Sequence, residues 1–310
     1  MEVLDSAFIK AAAMQVGFDA CGIAAAHSIN PQDWPLLYTI KKRYYADMRY
    51  MYEHVDMRLD PTLLVPGAKS IISVLLGYRP SARIPGIAQY AYGPDYHETV
   101  KQRLFQLIGI IKERYHDFDA KPCVDTVPIS DKYWAVQAGL GWIGKNTLLI
   151  NPTLGSYCFI GELVTTLEAD AYDAPIENRC NDCERCLKAC PNHALGKIEP
   201  DTESDAYGQY SGPQYVLNSQ KCSSYHTIEN RSETLPEDIK LSGYYFGCDC
   251  CQLACPYNQQ AEVKMDLNDQ RVKELSELID ADEVTFKHST KHSAINRVKH
   301  WQWLRNIRHK

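Results

Sequence analysis

Nine cysteines crowd into 76 residues of this 310-residue chain: Cys180, Cys183, Cys186, Cys190, Cys222, Cys248, Cys250, Cys251 and Cys255. The first four read Cys-x2-Cys-x2-Cys-x3-Cys-Pro, the run with which bacterial ferredoxins ligate 4Fe–4S clusters. Thiolates are soft donors suited to iron–sulfur chemistry, and the tight spacing lets three of them reach corners of one cube. The fourth, just ahead of Pro191, points away and serves a second cluster. A zinc site would more naturally show two Cys-x2-Cys pairs separated by a finger. Cys248-x2-Cys251-x3-Cys255-Pro256 repeats the ending without its first cysteine, which Cys222 can supply from upstream. Crossed ligation then assigns Cys180, Cys183, Cys186 and Cys255 to cluster one, and Cys190, Cys222, Cys248 and Cys251 to cluster two. Cys250 is left over as a small packed or half-exposed thiol; a register that uses it breaks the spacing. Cys21, Cys123 and Cys158 sit in apolar strand contexts and read as core filler. Two adjacent clusters make an electron wire, so an acceptor is expected in the rest of the chain.

A second group of residues could do chemistry there. Gly139-x-Gly141-x-x-Gly144-Lys145-Asn146 looks like a dinucleotide fingerprint and, one residue short, like a phosphate loop. Both motifs need a strand before the glycines and a helix after them. Here a helix (131–138) enters and an apolar strand (147–150) leaves, so both nucleotide readings fall. Two readings stay open: a tight turn that lets backbone approach a flat or bulky ligand, or a helix C-cap followed by a bend. Asp131 opens that helix and, by itself, is a first-turn or capping acid. His97 opens the longer helix and reads as an exposed first-turn histidine.

The elements that must position these groups alternate over residues 1–168. Helices are expected at 5–17, 95–116 and 131–138, and strands at 21–25, 69–76, 121–126, 146–150 and 157–166. The clearest helix carries Val100, Leu104, Leu107, Ile108, Ile111 and Tyr115 on one stripe, with Asp95 as its N-cap. This alternation predicts one α/β domain. The pattern changes near Glu168, and Asp201–Pro213, rich in Gly, Ser, Tyr and acids, is expected to be an exposed loop. A helix over 269–280 precedes a basic tail. The expected division is 1–168, 169–260 and 261–310.

The net charge of −6 hides a split: residues 1–283 carry 26 basic and 39 acidic groups, whereas 284–310 carry seven basic groups and no acid. Such a tail suits a polyanion that touches one face. No segment approaches the ~20 apolar residues of a membrane span. The N-terminus lacks the basic start of a secretory signal, so a cytoplasmic protein is expected, in which dense cysteines imply metal or redox chemistry.

Taken together, these segments resemble the epoxyqueuosine reductases. The resemblance is carried by DPTLLVPGAKSII (60–72), YGPDYH (92–97) and SDKYWAVQAGLGWIGKNTLLINPTLGSYCFIGELVTT (130–166). It continues through CNDCERCLKACPNHAL (180–195), CSSYHTIEN (222–230), GCDCCQLACPYN (247–258) and the tail 286–307. It implies an α/β cobalamin-binding catalytic domain, a ferredoxin-like module with two 4Fe–4S clusters, and a helical basic tail. The implied reaction is reduction of epoxyqueuosine to queuosine at the tRNA wobble position, the last step of queuosine biosynthesis. The family's proton donor falls on Asp131. Its cobalamin contacts fall on Arg58, Asp131, Gly155, Ser224, Cys248 and Asp249. An external electron donor, tRNA as partner and a monomeric state go with it. Three departures stand out: the sequence ends at Lys310 without the family's frequent helical-repeat extension, the Cys190–Cys222 spacing is long, and Tyr257 replaces the usual Trp.

The implied chemistry is coherent. Clusters pass electrons singly to cobalt, and the leaving oxygen needs a nearby acid that is protonated when substrate arrives. Burial would raise the Asp131 pKa in that direction. The tail's Trp301 and Trp303 among basic groups could stack on a base, or could pack on the body beneath a solvated basic face. The rival readings are a cobalamin-dependent reductive dehalogenase-like enzyme and a non-catalytic two-cluster electron carrier.

Overall fold

The computed structural model describes residues 2–199 and 212–309; the expected loop Asp201–Pro213 lies outside them apart from Gly212 and Pro213. The chain opens with β1 (Val3–Leu4) and α1 (Ser6–Gln15), whose N-cap Asp5 accepts a hydrogen bond from the Phe8 amide. Next come β2 (Ala20–Ala25), three short helices α2 (Leu36–Lys41), α3 (Val55–Leu59) and α4 (Pro61–Leu64), and β3 (Ser70–Gly77). The long helix α5 (Tyr96–Arg114) is capped by Asp95 as expected and buries Val100, Leu104, Leu107 and Ile111. Then follow β4 (Ala120–Cys123), α6 (Asp131–Gln137), the hairpin β5 (Trp142–Ile143) and β6 (Leu149–Ile150), and β7 (Cys158–Thr165). β8 (Glu168–Ala169) returns to pair with β1, which brings the two ends of this region together.

One four-stranded sheet, in the order β2-β3-β7-β4, carries the region. The alternation is mixed as expected, yet every neighbour in this sheet is antiparallel, so the architecture is α+β in its pairing. Ile23, Ile72, Val74 and Leu163 point to the face covered by α1 and α5. Ala24, Ile71, Leu75 and Val164 point to the face covered by α6, with Trp134 and Ala138 above them. Period-two alternation with both faces apolar is the expected pattern for a sheet clad by helices on both sides. The strand predicted to run to 126 stops at Cys123, because Asp125 adopts a left-handed φ of 49° and turns the chain.

Beyond β8 the regular elements are short. α7 (Arg185–Ala189), the hairpin β9 (Leu195–Lys197) and β10 (Tyr215–Leu217), α8 (Ser223–Ile228), α9 (Cys250–Leu253) and α10 (Pro256–Gln260) form the cysteine region. α11 (Asp269–Glu277), α12 (Glu283–Thr290) and α13 (His300–Arg308) close the chain. These last helices do not hang free. Leu275, Phe286, Ile295 and Trp303 share one core with Ile84, Ile87 and Tyr92 from the sheet region and with Ile228 and Phe246 from the cysteine region. No helix among the described residues is long and apolar enough to cross a membrane.

Candidate active site and cluster module

The glycine segment resolves into packing devices. α6 ends in a Schellman arrangement, with Gly139 at φ 71°, its amide on the Val136 carbonyl and the Leu140 amide on the Ala135 carbonyl. A Cβ on Gly141 would lie 2.3 Å from the Ile150 carbonyl oxygen across the hairpin. The C-cap-and-bend reading therefore accounts for these glycines, and the close approach they permit is to the chain's own strand.

The acid site lies at the other end of α6. The Ser130 hydroxyl donates to the Arg58 carbonyl at 2.8 Å, which ties the start of α6 to α3. Asp131 is the first residue of the helix, half-buried, and accepts from the Lys132 amide at 2.8 Å. Burial pushes its carboxyl above the ordinary range and the nearby Asp125 carboxylate adds to this, while Lys132 and Arg58 oppose. Asp125 is itself held low, mainly by the His97 imidazole, with burial opposing and the Tyr96 hydroxyl helping. His97 bridges Asp95 at 2.8 Å and Asp125 at 3.4 Å, and Tyr96 donates to Asp125 at 2.6 Å. The first-turn histidine is thus an ion-paired group beside the acid site. Asp125 was missed in the sequence because the turn that aims it breaks a strand pattern. Glu162, buried in β7, also feels the Asp131 charge and was missed because it sits inside an apolar strand.

A cleft opens near this site. An open cavity of about 580 Å³ is lined by Asp47, Arg49, Tyr50, Glu229, Arg231 and Arg297, among others. Burial pushes the Tyr50 hydroxyl up to about 12, and Glu229, Arg297, Asp125 and Arg58 all act on it electrostatically. The tail's Arg297, paired to Glu229 at 2.9 Å, therefore lines a space whose Tyr50 also feels Asp125 and Arg58. The Arg58 Nε is buried without a protein partner, so it is free to meet an anionic or carbonyl group of a ligand.

The other residues expected around a corrin serve contacts between regions. Gly155 has φ 60°, and a Cβ there would lie 2.1 Å from Asn258 Oδ1. Asn258 in turn accepts from the Ser156 amide at 2.6 Å, so this turn is stapled to α10. Asp249 is buried and accepts from the Gln89 amide at 2.9 Å. Ser224 lies in the first turn of α8, two residues after the capping residue Cys222 and just ahead of Tyr225, whose hydroxyl donates to Asp47 at 2.7 Å.

Cys180, Cys183, Cys186 and Cys255 line one cavity of about 400 Å³ together with Asn146, Arg179 and Tyr257. No three His, Cys, Asp or Glu side chains among the described residues are arranged to hold a single metal ion, so these thiols border a larger space. The cavity has the chemistry a cluster requires. The Asn146 side chain accepts from the Leu148 amide at 3.3 Å, which fixes its orientation, and its Nδ2 is buried with no partner. The Trp142 Nε1, packed among Cys180 and Cys255, is likewise unpartnered. Unused N–H donors beside a thiol-lined space suit sulfide and thiolate acceptors. Cys190, Cys222, Cys250 and Cys251 influence one another in a second group, and Cys248 sits beside Cys250 and Cys251. Cys222 and Cys255 each cap a helix, α8 and α10, which sets their directions. Cys250 hydrogen-bonds with Cys248 and Ser242. Cys21 and Cys158 are pushed up to about 12 by burial, and Cys123 is also raised by burial, as suits core thiols.

The tail divides. Trp303 is fully buried and donates to the Leu278 carbonyl at 2.9 Å, while Trp301 stays 44% exposed beneath the Arg305 guanidinium. Arg305 itself reaches the carbonyls of His226 at 2.9 Å and Asn230 at 3.0 Å.

Two family models match the chain: epoxyqueuosine reductase QueG, DUF1730, over residues 58–126, and the 4Fe-4S double cluster binding domain over residues 179–258. The epoxyqueuosine reductase of Leadbetterella byssophila is 38% identical over 96% of this chain and 96% of its own. A crystal structure of epoxyqueuosine reductase with an epoxyqueuosine-modified tRNA stem loop superposes with a TM-score of 0.80 and 27% identity, covering 97% of this chain and 79% of that one. The Bacillus subtilis epoxyqueuosine reductase, solved with its catalytic aspartate loop swung out of the active site, gives 0.78 and 26% over the same shares. At this identity and coverage, the chain belongs to the epoxyqueuosine reductase family.

Proposed function

We propose that this protein reduces the epoxide of epoxyqueuosine in tRNA to the alkene of queuosine, with Asp131 as proton donor. The observation that carries the reading is the half-buried Asp131 at the head of α6, raised by burial and Asp125 and tied through Ser130 to Arg58. A solved relative holds an epoxyqueuosine-modified stem loop, and another carries a catalytic aspartate on a loop, which supports both assignments.

Cysteines 180, 183, 186 and 255 would hold one 4Fe–4S cluster, and 190, 222, 248 and 251 the other. Cobalamin would be met by Arg58, Asp131, Gly155, Ser224, Cys248 and Asp249. Bound there, it would supply a low-valent cobalt centre able to take electrons one at a time and deliver them in pairs. The chain's own residues do the rest. Arg58, tied to Ser130, fixes the head of α6 that carries the acid; Asp125, ionised by its pairing with His97, favours the protonated form of Asp131. Exposed Lys299 and Arg308 on the tail would meet tRNA phosphates, with Trp301 beside them. An external one-electron donor, a monomeric working unit, a cytoplasmic setting and the division 1–168, 169–260 and 261–310 complete the proposal.

The test is anaerobic purification followed by assay on tRNA containing epoxyqueuosine. About eight irons per chain, a corrin spectrum and conversion to queuosine are expected. Iron without corrin and without turnover would favour the electron carrier.

A further inference from the structure

Behind Asp131 the sheet carries a carboxyl group that makes no structural contact. Glu162 lies in the middle of β7, only 1% exposed, and neither of its carboxyl oxygens has a hydrogen-bond partner. Its register neighbours are Ser73 on β3, whose buried hydroxyl is also unpartnered, and Cys123 on β4. Gly22 on β2 completes the row. The whole row faces α6, because a Cβ on Gly22 would lie 1.9 Å from the Ala138 carbonyl oxygen at the end of that helix. Strands stand ~4.8 Å apart and a seven-residue helix is about 10 Å long. α6 touches β2, β3 and β7, so a helix that ends over β2 begins over β7, with Asp131 above Glu162. The Cys123 thiol feels both carboxylates, which places them on the same side.

A carboxyl group buried without a partner is far too costly to keep charged, so it holds its proton. Burial, and after it the Asp131 charge, lift Glu162 well above the ordinary range. The reaction gives such a proton a use. Converting an epoxide to an alkene consumes two electrons and two protons, and both protons go to the same oxygen, which leaves as water. A single acid supplies one.

We propose that Asp131 and Glu162 act as a two-carboxyl pair in which Glu162 stores the second proton of the turnover. This rests on the reading of Asp131 as donor. Asp131 gives its proton to the oxygen as the first C–O bond breaks and the ring opens. Glu162 then passes its proton to the Asp131 carboxylate, and Asp131 delivers it as the second C–O bond breaks and water departs. The two electrons come from the external one-electron donor through the clusters. Both carboxylates regain protons from solvent through Asp131, which is only half-buried. The groups facing the pair are Asp125, Lys132 and Arg58 around Asp131, and Cys123 and neutral Ser73 beside Glu162. Glu162 touches no reacting atom, so it is a positioning and supply residue.

The test is Glu162→Gln, which keeps size and neutrality, in the fully loaded enzyme. At neutral pH its kcat should fall at least about tenfold, within the range of general acid catalysis, with KM for tRNA unchanged. The loss should shrink as the pH is lowered and Asp131 refills from solvent. A loss independent of pH, or no loss, overturns the pair. Infrared spectroscopy adds a readout that needs neither turnover nor a folded variant at every pH. Wild-type protein at neutral pH should show, beside any band of Asp131, the carbonyl stretch of a buried protonated carboxylic acid that Glu162→Gln loses and Asp131→Asn shifts. An ionised Glu162, or a band that Asp131→Asn leaves unmoved, overturns it as well. Should wild-type enzyme leave epoxyqueuosine tRNA unreduced, the functional reading fails, and the infrared result is seen to be separate from it.

Discussion

The cysteine region and the acid site differ in the buried polar groups they leave unpartnered, since only the acid site buries a carboxyl without a donor. Around the thiols, helices α7 to α10 are a turn or so long, and the unpartnered groups are N–H donors, Asn146 Nδ2 and Trp142 Nε1. Around Asp131, a wide antiparallel sheet and three helices converge, and beside the unpartnered Arg58 Nε and Trp134 Nε1 stand the unpartnered acceptor oxygens of Glu162. Donors without acceptors suit a region that must hold anionic sulfur and pass electrons. Carboxyls without donors are forced to keep protons, which suits a region that must release them. The molecule thereby separates electron supply from proton supply, and among the contacts that join the two regions are Asn258 stapling the Gly155 turn and Gln89 clamping Asp249.

Substitutions can break this division from either side. The largest effect should come from Asp131→Asn, which keeps shape and removes the proton. Turnover should fall roughly 10²- to 10⁴-fold while iron content and cluster absorption stay as in wild type. Loss of iron in that variant would show that the regions are not separable. From the other side, Cys255→Ala should remove one cluster and about half the iron, because Cys255 lies on the cavity of Cys180, Cys183 and Cys186 despite its distance in sequence. Cys250→Ala should leave iron unchanged. If it is Cys250→Ala that loses iron, the crossed assignment of ligands is wrong.

The same division explains what could be read from sequence. The proposed cluster ligands stand out because their spacing is local: two short runs and one outlier, Cys222. The longer helices and strands from α1 to β7 were legible too, with ends off by up to three residues, whereas the short α2, α3, α4 and β5 were not expected. Asp131 could be named only through resemblance, since a first-turn acid is common. Asp125 and Glu162 could not be named at all. One depends on a left-handed turn and the other on a register across three strands, and neither leaves a periodic mark. The glycine segment misled in the other direction, because tight turns against the chain's own backbone use the same residues as turns against a ligand.

The tail sharpens the contrast at smaller scale. Arg305 was expected among the groups that meet RNA, yet its guanidinium is spent on the carbonyls at the end of α8, the helix that Cys222 caps. Burial lowers its pKa, in keeping with that role. Arg305→Ala should cost about 1–3 kcal/mol, seen by denaturant titration, because it leaves carbonyl groups unpaired. The salt dependence of tRNA affinity should not change. Arg308→Ala, at an exposed position, should leave stability alone and reduce the salt slope by about one contact. The reverse pattern would return Arg305 to the RNA face.

The smallest effect should come from His97, and its sign is decided by which forces win. Burial pulls its pKa down, but hydrogen bonds to Asp125 and Asp95 and their charges outweigh this, so the folded value lies above the ordinary 6.5. The folded protein then binds this proton more tightly than the unfolded chain. The stabilisation is fully present below about pH 6.5 and is lost as the pH rises through the folded value. With the imidazole about one-third exposed, screening keeps the contribution below about 1 kcal/mol. The midpoint of urea unfolding should therefore decline through neutral and mildly alkaline pH in the wild type and decline less in His97→Gln. Cluster absorption should be indifferent to the change, since His97 acts only through Asp125. An equal decline in both proteins would mean that the imidazole is not protonated against its two aspartates, and Asp125 would then lose the ionic partner that lets it press on Asp131.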